Sequence, residues 1–276
     1  MAAISLVTVS CNAFLDLQPE SNLSPTQYLT TEDNLAAYAT DLYNMFPVHG
    51  QTSWGTWKND SDTDNMAYAN PSDAFAPGYW KVGQTGGSYE FTGIYRCNYF
   101  FDNVLENFEA GKITGTAANI RHYIGEVYFF RAWQYYLKLQ SLGDFPIVTR
   151  LLEDDLQALT AESIRQPRNE VARFILSDLD KSIEYMADVA PRGGSNRLSK
   201  DCAHLMKSRV ALYEGTWLKY FKGTAFVPGG DGWPGQASHP DYQYPSGNID
   251  SEIAAFLKIA MTEAKIVADR HPLTST

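Results

Sequence analysis

The chain has 276 residues, of which 44% are hydrophobic and 20% charged, the balance of a globular protein able to bury a sizeable core. Its formal net charge is −10 and no run of Lys or Arg stands out, which excludes a nucleic-acid surface, because phosphate contacts need a basic patch. No stretch reaches the ~18 consecutive apolar residues that a membrane-spanning helix needs.

At the N-terminus, residues 1–10 are small or apolar and lead directly into Cys11. A small-residue cleavage point before a cysteine resembles a bacterial lipoprotein signal, although the basic n-region is missing and the apolar run is short. The expectation is a cleaved signal over 1–10, an acylated Cys11, and a mature domain over 11–276. Thr30, with Glu32 and Asp33 in the turn after it, predicts a helix start. Leu35, Ala39, Leu42, Tyr43 and Phe46 then share one helix face, and Pro47 stops it. Residues 47–90 are irregular and rich in Gly, Asn, Asp, Ser, Trp and Tyr. Phe91, Ile94, Asn98, Phe101, Leu105 and Phe108 mark the next helix, ended by Gly111. The longest helix is predicted over Ile120–Leu142, with Tyr123, Val127, Phe130 and Leu137 in register, and it stops at Gly143 with Pro146 beyond. Val171, Phe174, Ile175, Leu179, Ile183 and Met186 form another stripe. Ser199 caps a helix carrying Met206, Val210, Tyr213, Trp217 and Phe221. A second irregular stretch, 222–249, is rich in Gly, Pro and aromatics, and Ile253, Phe256, Leu257, Ala260, Ala264 and Val267 form the last helix.

Strand alternation is scarce, so the fold class is all-α. Helix centres near 100 and 131, and near 178 and 210, are spaced close to the ~34-residue period of tetratricopeptide pairs, although the signature residues of those repeats are absent. The architecture predicted is a stack of helical hairpins, tetratricopeptide-like, interrupted by long irregular loops that are candidates for ligand binding. Cys97 and Cys202 sit within helical patterns and read as small buried side chains.

Catalytic and metal constellations are missing. His49, His122, His204, His239 and His271 form no H-E-x-x-H, and there is no G-x-S-x-G elbow. Gly230, Gly232 and Gly235 match G-x-G-x-x-G, but Pro234 lies inside the match and no strand precedes it. Asp60, Asp62 and Asp64 resemble the first half of a calcium loop, yet Asn65 and Pro71 stand where its Gly and Glu belong. No cofactor and no metal are expected, and the chain is not expected to be an enzyme.

Five segments resemble blocks of the SusD/RagB family of outer-membrane nutrient-binding lipoproteins. The first follows Cys11 with Phe14, Leu15, Asp16 and Pro19. The second is Phe91, Ile94 and Asn98. The third and most specific is Glu126, Phe130, Arg131 and Ala132 running on to Gly143 and Pro146. The fourth is Gln166, Pro167, Arg168, Glu170 and Val171, continuing to Asp178. The fifth is Asn196, Arg197, Leu198, Ser199 and Lys200, opening the helix that reaches Leu212 and Tyr213. The blocks keep family order. Relatives are considerably longer, so the chain is expected to be an N-terminal portion, truncated at the C-terminus. Among block residues, Glu126 and Arg131 read as a mutual buried charge pair, and the blocks as scaffold.

The resemblance implies a lipid-anchored, cell-surface outer-membrane protein that captures oligosaccharides or polysaccharides and passes them to a TonB-dependent SusC-like transporter. Sugars have apolar C–H faces and polar edges, so a receptor stacks aromatics on the faces and hydrogen-bonds the hydroxyls. Trp54, Trp57, Asn59, Asp60, Asp62, Tyr79 and Trp80 combine those groups on the 47–90 stretch and are the predicted glycan contacts. Trp233, Tyr242 and Tyr244 are weaker candidates on the second stretch. The alternative is a helical-repeat protein-interaction scaffold without a glycan ligand.

Overall fold

The computed structural model describes residues 28–47, 66, 76–79, 89–192 and 194–273. Among these residues lie seven α-helices: α1 (Glu32–Leu42), α2 (Thr92–Glu109), α3 (Ala117–Leu142), α4 (Leu156–Glu162), α5 (Arg168–Tyr185), α6 (Lys200–Tyr220) and α7 (Ile249–Arg270). Among the described residues the only strand-like pairings are two isolated bridges, Thr31 with Thr114 and Phe145 with Gln166. The all-α expectation holds.

The predicted stripes become the core because each helix has a face to bury. Leu35, Ala39 and Leu42 of α1 are fully buried against α3, as are Ile94, Phe100 and Val104 of α2. α3 is buried along most of its length, from Ile120 to Leu139, because α1, α2 and α5 all pack on it. α6 then packs on α5, and α7 on α6, so that hairpins follow one another as a stack. Helix ends follow the expected chemistry. Thr31, rather than Thr30, caps α1, its Oγ1 accepting from the Asn34 amide at 3.3 Å. Asn248 caps α7 in the same way at 2.9 Å. Gly143 terminates α3 with φ of 75°, a left-handed conformation that favours glycine.

The structure departs from expectation in three places. α4 has no counterpart among the apolar stripes, because none of its residues is buried. It starts from Asp155, whose side chain accepts from the Ala158 amide at 2.8 Å. Leu137 is exposed rather than in register, since it faces away from the elements packed on α3. Glu126 and Arg131 are both buried but do not pair with each other. Five residues along a helix rotate the side chains by roughly 500°, placing them on different faces, and each meets a different partner. Of the cysteines, the two among the described residues are free: Cys97 is fully buried, its thiol pushed up to about 12 by burial, and Cys202 is half-buried.

Candidate functional site

The polar residues of the sequence blocks are brought together as buried charge centres that join the helices. Arg131 of α3 is bidentate to Asp178 of α5, with Nε and Nη2 each 2.7 Å from a carboxylate oxygen. Its remaining nitrogen, Nη1, donates to Asn98 Oδ1 of α2 at 3.0 Å, and Asn98 in turn donates to the Val148 carbonyl at 2.9 Å. Tyr135 closes the group by donating to that same carbonyl at 3.0 Å. Glu126 accepts from Arg197 at 2.6 and 3.0 Å and from the Tyr43 hydroxyl at 2.7 Å. Burial pushes the Glu126 carboxyl up, but hydrogen bonds from His122, Arg197 and Tyr43 outweigh it and hold the group below the ordinary glutamate range. A third centre pairs Arg168 of α5 with Glu214 of α6 through Nε at 3.0 Å and Nη2 at 2.8 Å, with the guanidinium 4.1 Å above the Trp217 ring. Such buried pairs fix geometry more reliably than they add stability. Their role here is to hold the scaffold on which the two irregular stretches are mounted.

Both flanks of the first stretch rest on the second half of α3. Phe46 packs against Phe130 at 5.2 Å and Trp133 at 5.4 Å between ring centroids. On the far side, Glu90 accepts from Lys138 at 3.2 Å, and Tyr89 and Phe91 lie against Phe145 at 5.5 and 4.9 Å. Trp133 and Lys138 are separated by roughly 8 Å along the helix and lie on different faces of it. Of the predicted glycan contacts, Tyr79 lies among the described residues. It closes a turn, its amide donating to the Ala76 carbonyl at 3.1 Å, and its ring is 55% exposed. Trp54, Trp57, Asn59, Asp60, Asp62 and Trp80 lie outside the described residues, as does Cys11.

The second stretch is packed down by its aromatics. Trp233 is buried and donates through Nε1 to Asp144 Oδ2 at 2.7 Å. Tyr242 donates to Asn169 Oδ1 at 2.8 Å and Tyr244 to the Pro228 carbonyl at 2.7 Å. These three rings serve the scaffold, and the G-x-G-x-x-G match falls in turns and a 3-10 segment (Pro234–Ala237) with no preceding strand. Where this stretch meets the end of α3 it leaves a cavity of about 280 Å³. Asp144, Arg165, Arg168 and Phe226 line it, residues that sequence reasoning either assigned to scaffold or passed over. The signal was available only in part: Gly143 and Pro146 mark a stop, and Asp144 between them has no apolar role.

No group of three or more His, Cys, Asp or Glu among the described residues gathers to hold a metal ion, and none of the described helices is long and apolar enough to cross a membrane. The SusD-like family described as starch-binding and associating with the outer membrane matches residues 13–212. The chain belongs to that family. It is 22% identical to SusD-like protein P25 of Formosa agariphila, over 75% of this chain and 41% of that protein. Among solved structures, a SusD-like carbohydrate-binding protein of Bacteroides fragilis matches with a TM-score of 0.48 at 17% identity, covering 70% of this chain and 40% of that one. A second SusD-like protein of the same species matches with a TM-score of 0.46 at 20% identity, covering 71% and 37%. The chain thus spans well under half the length of these relatives.

Proposed function

We propose that this SusD-like chain captures a glycan at the outer membrane and delivers it to a TonB-dependent SusC-like transporter, with Cys11 as the lipid anchor and the bacterial surface as its station. The observation that carries the reading is the family match across 13–212, together with the meeting of its polar block residues in buried charge centres. The glycan contacts are Trp54, Trp57, Tyr79 and Trp80 for stacking, and Asn59, Asp60 and Asp62 for the hydroxyl edges. Supporting this placement, Phe46 packs on Trp133 of α3 and Tyr89 on the buried Phe145 just beyond that helix, so both flanks are held by the packed scaffold, which is where a binding loop keeps its geometry. The work asked of the chain is binding, not bond-breaking.

Affinity electrophoresis of the chain from residue 12 onward against a panel of polysaccharides tests this. Retardation by at least one polymer, abolished in the Trp54→Ala/Trp57→Ala/Trp80→Ala triple variant, is the expected outcome. Retardation that survives the triple substitution would remove the site assignment. Absence of retardation by any polymer, with a cooperative melt confirming a folded sample, would favour a scaffold that binds protein alone.

A further inference from the structure

The cavity at the end of α3 is not accounted for by the loop reading. We infer that it is a pocket for a single neutral pyranose ring, separate from the Trp54–Trp80 contacts. Its centre is Arg168, a side chain only 3% exposed. Nε and Nη2 of this guanidinium are taken by Glu214, but Nη1 donates to no group among the described residues, and the residue lines the cavity. Gly143 keeps that edge open, for a Cβ built there would sit 3.4 Å from Nη1, and its φ of +75° disfavours any side chain. A donor at the edge of a cavity needs an acceptor, whether water or ligand.

The remaining walls supply what a sugar hydroxyl asks for. Asp144 Oδ1 accepts from the Arg168 amide at 2.8 Å and Oδ2 from Trp233 Nε1 at 2.7 Å, leaving each oxygen a further lone pair. Arg165 and Gln140 stand at the rim as additional polar groups. Phe226 is the apolar face: its ring is 61% exposed, and it is held in place edge-on by Trp217 at 6.5 Å and by Phe221 at 5.4 Å. A volume of about 280 Å³ lies just below the roughly 300 Å³ at which pockets for drug-sized ligands begin, and so suits one ring. Charge decides between a neutral and an acidic sugar. The two arginines face two carboxylates, Asp144 and Glu214, so the site carries no net positive charge to attract an anion. A polyol that both donates and accepts matches it better.

Saturation-transfer NMR of the full chain with methyl glucoside, methyl galactoside and methyl mannoside, and separately with glucuronate and inorganic phosphate, tests the proposal. Transfer to at least one neutral glycoside is expected, weakened about tenfold or more by Phe226→Ala and Arg165→Ala and abolished by Ser141→Trp, which plugs the mouth. All three positions are exposed and lie outside the core, so a melt checks that each variant folds. The Trp54→Ala/Trp57→Ala/Trp80→Ala variant should retain this signal. Transfer to glucuronate or phosphate alone, transfer to no probe, or transfer untouched by the rim variants would each overturn the pocket. Because the loop triple variant reports on the loop and the rim variants on the cavity, either site can fail without the other.

Discussion

The Arg131 and Arg168 centres are built from the same parts and differ in one edge. Each is a nearly buried arginine bidentate to a carboxylate on a neighbouring helix, and each lies over an aromatic ring. At Arg131 the third nitrogen is closed by Asn98, so that no nitrogen is without an acceptor. At Arg168 the third nitrogen meets no acceptor among the described residues, and the residue lines the cavity beside Gly143, where sequence places glycine rather than a residue with a side chain. A buried charge can be satisfied entirely from within, and is then scaffold, or it can be left one bond short, and then it can hold a ligand.

The largest effect is expected from removing a carboxylate. Asp178→Ala strands the buried Arg131 without its carboxylate and should cost about 3–5 kcal/mol, enough to threaten folding of a domain with ordinary stability. Glu214→Ala should cost less, about 1–3 kcal/mol, because the cavity lets water reach the Arg168 guanidinium. Urea denaturation of the two variants side by side measures this. Equal losses would show that the cavity does not hydrate Arg168, and the contrast between the centres would collapse.

Acidification sharpens the comparison next. Four glutamates are held below their ordinary range. Glu32 is lowered chiefly by the Thr116 amide; in Glu126, Glu252 and Glu263 burial raises the group but hydrogen bonds and cations prevail. Their ionised forms are favoured in the folded state, so this stability is fully present above the unfolded value of about 4.3 and disappears as pH falls through the lower folded values. Asp144 at the cavity has the opposite sign: burial pushes it up despite Trp233 and Arg168, so its contribution grows on acidification. Glu170, Asp178 and Glu214 are likewise raised by burial, so the loss contributed by the four glutamates as pH falls below about 4.3 is opposed by these groups. Glu126→Gln should flatten the denaturation midpoint against pH, whereas Asp144→Asn should steepen it. A pH profile unchanged by Glu126→Gln would show that its network adds nothing to the folded state.

How much of this was legible in the sequence depends on whether a feature is periodic or paired. The stripes at Leu35, Ile94, Val127, Leu179 and Phe256 are local, and their spacing alone specifies helix and face. α4 was invisible because seven residues with no buried side chain leave no period to detect. The partners were invisible for another reason. Arg131 and Asp178 are 47 positions apart, and Glu126 and Arg197 are 71 apart, so spacing could show that each was a polar residue on a buried helix but not which one it met. Reading Glu126 against Arg131 took sequence neighbourhood for spatial neighbourhood. The cavity is harder still, since it depends on a glycine that withholds a side chain and on an arginine edge that nothing fills.

The smallest predicted effect separates a hydroxyl with a partner from one without. Thr31 and Ser199 are both N-caps with extended backbone, and sequence rules treat them alike. Thr31 Oγ1 accepts from the Asn34 amide at 3.3 Å, whereas the Ser199 side chain makes no capping bond and lies 3.5 Å from Cys202 Sγ. Thr31→Ala should therefore destabilise by about 1 kcal/mol, and Ser199→Ala by less than about 0.5 kcal/mol. Thermal melts of the two variants give the answer directly. If Ser199→Ala proved the costlier, the cap at α6 would have to form in solution through another rotamer, and the backbone near Arg197, which pairs with Glu126, would be held by a hydroxyl as well as by an ion pair.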